Sequence, residues 1–548
     1  MKKYFRNDLY AGIAYLICVP VSCWSSVKFA LSIQPVMDSI LTMDASMFQR
    51  VAFFCVFWGV LDICLLLLVE FIYLRLLKNI NISLKKDLCR AVLGMSFQNY
   101  TDENNDYLSI LNNDTKTIST CYFLSWLSLY RVIWSFFVSV ITAIKLSSVI
   151  TGIVFFVGVL SVFVPRLFGD KIAKLQLTLS KQKEEYSKIV NDMLCGFSTI
   201  KTTQAEEFFE KKHDSSNVKT ENLGYQINRI MYLSTWFSML CSSSVYILTF
   251  ILGGMLVLQG KMTAGFVVSI SQLIGGIVAP LEQVPQLLTQ IRSGKSVCEK
   301  CEAILDVPSP LPLQKTEGEK LNCKEVTFRY NNTQNGIERF CYEFETGKKY
   351  LLVGISGGGK SIIGRLIAGF YECKKGSIHY PSFVTGRKDV MYVTQQSHVF
   401  CDTLRNNITL GETYSDDEIL EVLERCHLTD FLLKLPHGLD EMLQEKYSCS
   451  GGEAARISLA RAILRNPPIL ILDEITVHLD SHTSKQIDEM LLSLKDVLLL
   501  TITHKITAEL AEQYDGILCI KNGQLVESGT MQELMQKKGE FYHLLHAK

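Results

Sequence analysis

Lys360 and Ser361 close a run of small residues, Gly354-Ile-Ser356-Gly357-Gly358-Gly359, between the apolar stretch Tyr350 to Val353 and an apolar helical pattern from Ile362 to Phe370. A loop almost free of side chains lets backbone N–H groups approach and wrap a chain of phosphates. The lysine that follows reaches the β- and γ-phosphates as a point charge, and the next serine hydroxyl is placed to ligate Mg2+. About 110 residues downstream, on the scale of one α/β domain, the apolar run Ile469-Leu-Ile-Leu472 ends in Asp473 and Glu474. A buried parallel strand presents acids at its C-terminal edge in this way. Asp473 is expected to hold Mg2+ through water, and Glu474 to polarise an attacking water as general base.

Between these elements, Cys449-Ser450-Gly451-Gly452-Glu453 runs into a helical pattern from Ala454 to Leu464. Small residues at a helix start let backbone amides face an anion. A chain carrying both this element and the glycine loop implies that two copies pair head to tail. The run from Cys449 through Asp480, CSGGEAARISLARAILRNPPILILDEITVHLD, resembles the ATP-binding-cassette (ABC) family, and Ser450-Gly451-Gly452 falls on that family's signature. The resemblance implies ATP and Mg2+ as ligands and adds roles. Tyr330, in Val326-Thr-Phe-Arg-Tyr330, resembles the aromatic that stacks on adenine; a structural tyrosine on a strand is the alternative. Gln395, in Tyr392-Val-Thr-Gln395, resembles the glutamine that contacts Mg2+ and water. His504, in Thr501-Ile-Thr-His504, resembles the switch histidine on the γ-phosphate, and Asp480 the residue that closes a loop across the dimer interface. The family usually has Ser or Thr at Gly358, Thr at Ile362, Leu at Cys449, Gln at Glu453 and Ser-Ala at Val477-His478. None of these departures removes Lys360, Ser361, Gln395, Asp473, Glu474 or His504.

The elements that must position this site occupy the second half of the chain; the first half has another character. With 548 residues, 48% hydrophobic content and zero formal net charge, the chain exceeds one domain and leans toward membrane proteins. Six apolar runs meet the roughly 20 residues needed to span a bilayer: Leu9 to Ile33, Val51 to Tyr73, Cys121 to Ala143, Val149 to Leu167, Met231 to Leu258 and Phe266 to Leu288. Lys2, Lys3 and Arg6, Arg75 to Arg90, Lys171 and Lys174, and Arg292 and Lys295 flank one side, against Arg50, Lys145 and Lys261 on the other. The bias predicts a multi-pass protein with both termini and the ATPase in the cytoplasm; the membrane expected is a bacterial inner membrane. The connections 79–120 and 169–229 read as helical extensions, and Asn112-Asn113-Asp114 and Gly196 to Lys201 resemble the exporter branch, in which short transverse helices in these loops dock on the ATPase. Prolines 308, 310 and 312 mark a linker.

The expected architecture is therefore an α-helical six-span transmembrane domain over 1–305, a linker over 306–320, and a cytoplasmic α/β P-loop ABC ATPase domain over 321–548. The first helix is expected to span the membrane rather than to be a cleaved signal, and its closeness to the N-terminus leaves no room for a leader peptidase. Seventeen scattered cysteines read as free thiols, and Cys298 and Cys301 lack a second pair for zinc. Asp62, Glu70, Arg131 and Glu282 fall within spans, where charges are expensive. They either line a translocation cavity or, for Asp62 and Arg131, pair between helices while Glu70 snorkels. Gly275, Gly276 and Pro280 permit close packing or a kink in the sixth helix.

The sequence thus implies an ABC exporter half-transporter, an ATP hydrolase that moves a peptide, drug-like or lipid cargo by alternating access. Its partner would be a second copy or a homologous half-transporter. A heterodimer in which this chain supplies the competent Glu474, and an ATP-gated regulatory membrane protein, are the alternatives. The apolar spans exclude a soluble ATPase acting on nucleic acid.

Overall fold

The apolar runs of the first half become long helices, which carry through Pro20, Pro280 and Pro285, and several extend far beyond their hydrophobic stretch. In a computed structural model these are α1 (Leu9–Leu41), α2 (Ala45–Gly94), α3 (Leu124–Leu146), α4 (Ser148–Cys195), α5 (Glu206–Leu258) and α6 (Ala264–Leu305). The structure describes residues 2–5, 8–102, 107–307, 313–315, 318–330, 336–355, 357–394, 397–443, 449–476, 479–504 and 506–546. Among the described residues, α1, α2, α5, α6 and the helical stretch Tyr107–Leu146 that ends in α3 are long and apolar enough to cross a membrane. The remaining expected span, Val149 to Leu167, falls inside α4. At 1.5 Å per residue the 50 residues of α2 and 53 of α5 reach about 75–80 Å, well beyond a hydrocarbon core about 30 Å thick.

The chain divides into two compact units: Met1–Leu93 with Asn105–Val307, and Gly94–Asn104 with Pro308–Lys548. In the first, α6 packs along α3 and α1, and α5 along α4. Gly276 allows the closest of these approaches, since a Cβ there would stand 2.1 Å from the Ser139 hydroxyl oxygen. Of the charges inside the spans, Arg131 pairs with Glu70 at 2.7 Å, while Asp62 accepts a hydrogen bond from Ser26 at 2.6 Å and Glu282 one from Ser242. The alternative of an Asp62–Arg131 pair is thus not formed; Arg131 takes the carboxylate two helical turns further along α2. Asn112, Asn113 and Asp114 lie in a π-helical turn, with Asp114 paired to Lys300 at 3.0 Å.

In the second unit, strands β1 (Lys320–Arg329), β2 (Gly336–Glu345) and β4 (Lys375–His379) form an antiparallel sheet in the order β2-β1-β4. The main sheet has the order β5-β6-β7-β3-β8-β9, from β3 (Lys349–Gly354), β5 (Val390–Val393), β6 (Ile469–Asp473), β7 (Leu498–Ile502), β8 (Gly516–Lys521) and β9 (Gln524–Gly529). The pairs through β5, β6, β7, β3 and β8 are parallel; β9 closes the edge antiparallel. Every residue of β3, β6 and β7 is buried, which is why these strands read as unbroken apolar runs. The segment Gly94–Asn104 belongs to this unit: Phe97 stacks on Phe370 with ring centroids 5.0 Å apart and meets the Tyr371 ring edge-on at 5.8 Å. Within the loop 79–120, the short helix Phe97–Asp102 thus belongs to the second unit, and Asn112 to Asp114 to the first.

Candidate nucleotide site

Parallel strands gather functional groups at their C-terminal ends, and here the adjacency of β6, β7 and β3 does so. β3 ends at Gly354 and α7 (Lys360–Ile367) begins just beyond the loop; β6 ends on Asp473; His504 follows β7 by two residues. Gly354 and Gly359 hold φ angles of 148° and 101°, which L side chains rarely adopt, and a Cβ at Gly354 would lie 2.1 Å from the Ile520 carbonyl oxygen of β8. The glycines are thus required by the loop's own backbone as well as by any phosphate.

Lys360 is buried, and its ammonium donates to the carbonyls of Gly354 at 2.9 Å and Ile355 at 3.0 Å, with His504 Nε2 at 3.5 Å. Burial pulls its pKa below the ordinary lysine range. Glu474 Oε1 lies 2.6 Å from His504 Nε2. The Glu474 backbone sits at φ 53°, a strained conformation for a residue with a Cβ, and is held there by its N–H donating to the Ile502 carbonyl at 3.0 Å. Ser361 Oγ donates to Asp473 Oδ1 at 2.9 Å. These residues fit a nucleotide with its metal: a side-chain-free loop, a cation bonded to loop carbonyls and able to turn to phosphate oxygens, and a hydroxyl–carboxylate pair of hard oxygen donors.

The Tyr330 ring is partly buried, edge-on to Phe328 at 5.2 Å and Tyr371 at 5.6 Å, with its hydroxyl 3.3 Å from that of Tyr371. Ser450 is the N-cap of α8 (Gly451–Leu464) and forms a reciprocal capping box with Glu453: its N–H and Oγ–H each donate to the Glu453 carboxylate at 2.8 Å, and the Glu453 N–H donates to Ser450 Oγ at 3.3 Å. Asp480 caps α9 (Ser481–Leu492), accepting from the N–H groups of His482 at 3.1 Å and Thr483 at 2.9 Å; the Thr483 bond leads in holding its carboxyl below the usual range. The partners of Ser450 and Asp480 are thus local, apart from the Lys360 cluster. Ser356, Gln395 and the Val477-His478 pair lie outside the described residues.

Two residues at the site escaped the sequence reading. Tyr392 donates its hydroxyl to Asp473 Oδ2 at 2.5 Å, and the charge of the Arg365 guanidinium acts on the same hydroxyl. The one available signal was a phenol within the otherwise apolar strand Val390-Met-Tyr-Val393.

The helical unit holds a second candidate site. A cavity of about 300 Å³ is lined by Ser22, Ser26, Arg131, Ser135, Gln272 and Gln283, among others. A groove of about 310 Å³ lined by Phe136, Phe137 and Leu288 shares Val132 and Pro280 with it. The polar and the apolar space therefore adjoin at these two residues. All seventeen cysteines are free thiols, and no group of three or more His, Cys, Asp or Glu able to hold a metal occurs among the described residues.

Two family models match the chain: "ABC transporter transmembrane region" over residues 13–281 and "ABC transporter" over residues 337–477. Among curated relatives, the ATP-dependent lipid A-core flippase of Pasteurella multocida (strain Pm70) is 28% identical over 418 residues, covering 72% of this chain and 70% of that protein. The protein of the same name from Yersinia pestis bv. Antiqua (strain Antiqua) is 29% identical over 395 residues, covering 69% and 68%. A solved structure titled "Structure of a bacterial Atm1-family ABC exporter with ATP bound" superposes with a TM-score of 0.82 at 20% identity over 98% of both chains.

Proposed function

Because this chain belongs to the ABC transporter family, as an exporter-type half-transporter that couples ATP hydrolysis to transport, we propose that it works as a dimer carrying an amphipathic, lipid-like cargo across a bacterial inner membrane by alternating access. The observation that carries this reading is the meeting of Lys360, Glu474 and His504 within hydrogen-bonding reach at one sheet edge of a chain whose other unit is built of membrane-length helices.

In this reading the backbone of Gly354, Ser356, Gly357, Gly358 and Gly359 cradles the phosphates of ATP, Lys360 exchanges its loop carbonyls for phosphate oxygens, and Tyr330 stacks on adenine. Ser361, Asp473 and Gln395 hold Mg2+, which when bound neutralises charge on the β- and γ-phosphates. Glu474 orients water and takes its proton. His504, now bonded to Glu474, turns to the γ-phosphate. Ser450, Gly451 and Gly452 of one protomer face the nucleotide of the other, and Asp480 lies along the interface; catalysis is positioning and charge neutralisation. The cytoplasm is the side of the ATPase and of both termini. For the cargo, the support is the polar cavity beside an apolar groove, together with flippases of lipid A-core among the relatives.

One observation favours a second reading, a heterodimer with a homologous half-transporter: Glu453 already engages the Ser450 hydroxyl that a symmetric pair would need at both sites.

The test is Mg-ATP hydrolysis by the chain expressed alone and reconstituted in lipid. Turnover from a two-chain particle, reduced about 10²- to 10⁴-fold by Glu474→Gln with ATP binding kept, is the expected outcome. A folded, inactive particle supports the heterodimer, and turnover undiminished in the variant removes Glu474 as the base.

A further inference from the structure

We infer that Tyr392 is a positioning residue for the metal-binding carboxylate of Asp473, and that Gly364 is the residue that seats it; this rests on the proposed role of Asp473 as a Mg2+ ligand. The two oxygens of Asp473 are held differently. Ser361 donates to Oδ1 at 2.9 Å, and Tyr392 to Oδ2 at 2.5 Å. Ser361 is itself a proposed ligand, and its hydroxyl can keep donating to Oδ1 while a lone pair is turned toward an ion. The Tyr392 bond engages the other oxygen. Held at both oxygens, the carboxylate plane would be fixed for an ion or its water.

The phenol's own hydrogen bonding favours this direction. Tyr392 is the donor to Oδ2, and a carboxylate oxygen only accepts, so the phenol proton points at Asp473. The seat for the ring is also built. Tyr392 lies on β5, paired in register with Ile471 of β6, which places it beside the strand that ends in Asp473. On its other flank a Cβ at Gly364, in the middle of α7, would stand 2.9 Å from Tyr392 Cε2. Glycine inside a helix is disfavoured relative to alanine, and here it leaves the space the ring occupies. Phe370 closes the pocket, its ring centroid 5.4 Å from that of Tyr392. Because Tyr392 is three residues before Gln395, the same short strand carries the support of one proposed ligand and the approach to another.

The test is the Mg2+ dependence of nucleotide binding by the full-length chain in nanodiscs, read with a fluorescent ATP analogue and varied free Mg2+. Tyr392→Phe keeps the ring and its packing and removes only the hydroxyl. Its half-saturating Mg2+ is expected to rise about tenfold, the lower end of what the loss of an outer-shell partner does to metal affinity. Binding of the analogue in EDTA should stay within twofold, and the thermal midpoint should hold. Gly364→Ala should raise the same Mg2+ requirement in the wild-type background and add nothing in the Tyr392→Phe background. Asp473→Asn is the reference. If it shifts the Mg2+ requirement and Tyr392→Phe does not, the positioning role is overturned while the ligand assignment stands. If Asp473→Asn shifts nothing, both fall.

Discussion

At Lys360 the ammonium is buried yet bonded to two backbone carbonyls of its own loop, an arrangement that holds the loop closed while leaving the donors exchangeable. Charged hydrogen bonds are worth about 1.5–3 kcal/mol, so Lys360→Ala should weaken ATP binding by roughly ten- to a hundredfold. Unchanged affinity by equilibrium titration would remove Lys360 from the site. This residue, Ser361, Asp473 and Glu474 were legible in the sequence because short spacings tie them to a loop and a strand end. Tyr392 was not, since its contact with Asp473 depends on the register of two strands joined by a long connection. The Arg131–Glu70 pair was hidden for a similar reason: the rotation of α3 against α2 selects between two carboxylates on one helix, and composition does not encode it.

At the scale of elements, the N-terminus of α8 carries a carboxylate in its first turn. Glu453 stabilises the helix through its capping box, and it also offsets the positive end of the helix dipole at a place proposed to meet a phosphate. Glu453→Gln removes that charge and keeps an acceptor for Ser450. Dipole terms of about 0.3–1 kcal/mol convert to a KM for ATP lower by roughly two- to fivefold, and an unaltered KM would detach Glu453 from nucleotide binding. Helix α9 carries a second charge of interest. Asp488 faces a cavity of about 430 Å³ beside Lys485, Glu489, Glu509 and Thr501, and burial pushes its pKa up to about 6. Its folded pKa exceeds the unfolded value, so the protonated form favours the folded state: the contribution is fully present below about pH 4 and is lost as pH rises through about 6. Asp488→Asn should therefore stabilise the chain at pH 7.5, by about 1–3 kcal/mol, and flatten its stability between pH 4 and 6. A thermal midpoint at pH 7.5 equal to that of the parent protein would show that the site is solvated.

At the scale of the whole molecule, the ATPase unit explains how free energy is released, and the helical unit must explain what it moves. The polar cavity holds hydroxyls, amides and one guanidinium, and it adjoins an apolar groove at Val132 and Pro280. Such a lining suits a molecule with a polar head and a hydrocarbon tail. Arg131 is the group that would select an anionic head, but it also neutralises Glu70 at 2.7 Å. Arg131→Gln alone would leave Glu70 without its partner within a membrane span, where charges are expensive, and lost activity would then be confounded with misfolding. The informative protein is the double variant Arg131→Gln with Glu70→Gln, in which two amides keep a hydrogen bond and no charge is left unpaired. If the guanidinium reads an anionic head, the lipid concentration for half-maximal stimulation of ATP hydrolysis should rise about tenfold in the double variant for phosphate-bearing lipids, the magnitude expected of one charged hydrogen bond. For a zwitterionic lipid lacking a free anionic group it should not move. Equal shifts for both lipids would mean that the pair merely holds α2 against α3, and that cargo is recognised elsewhere.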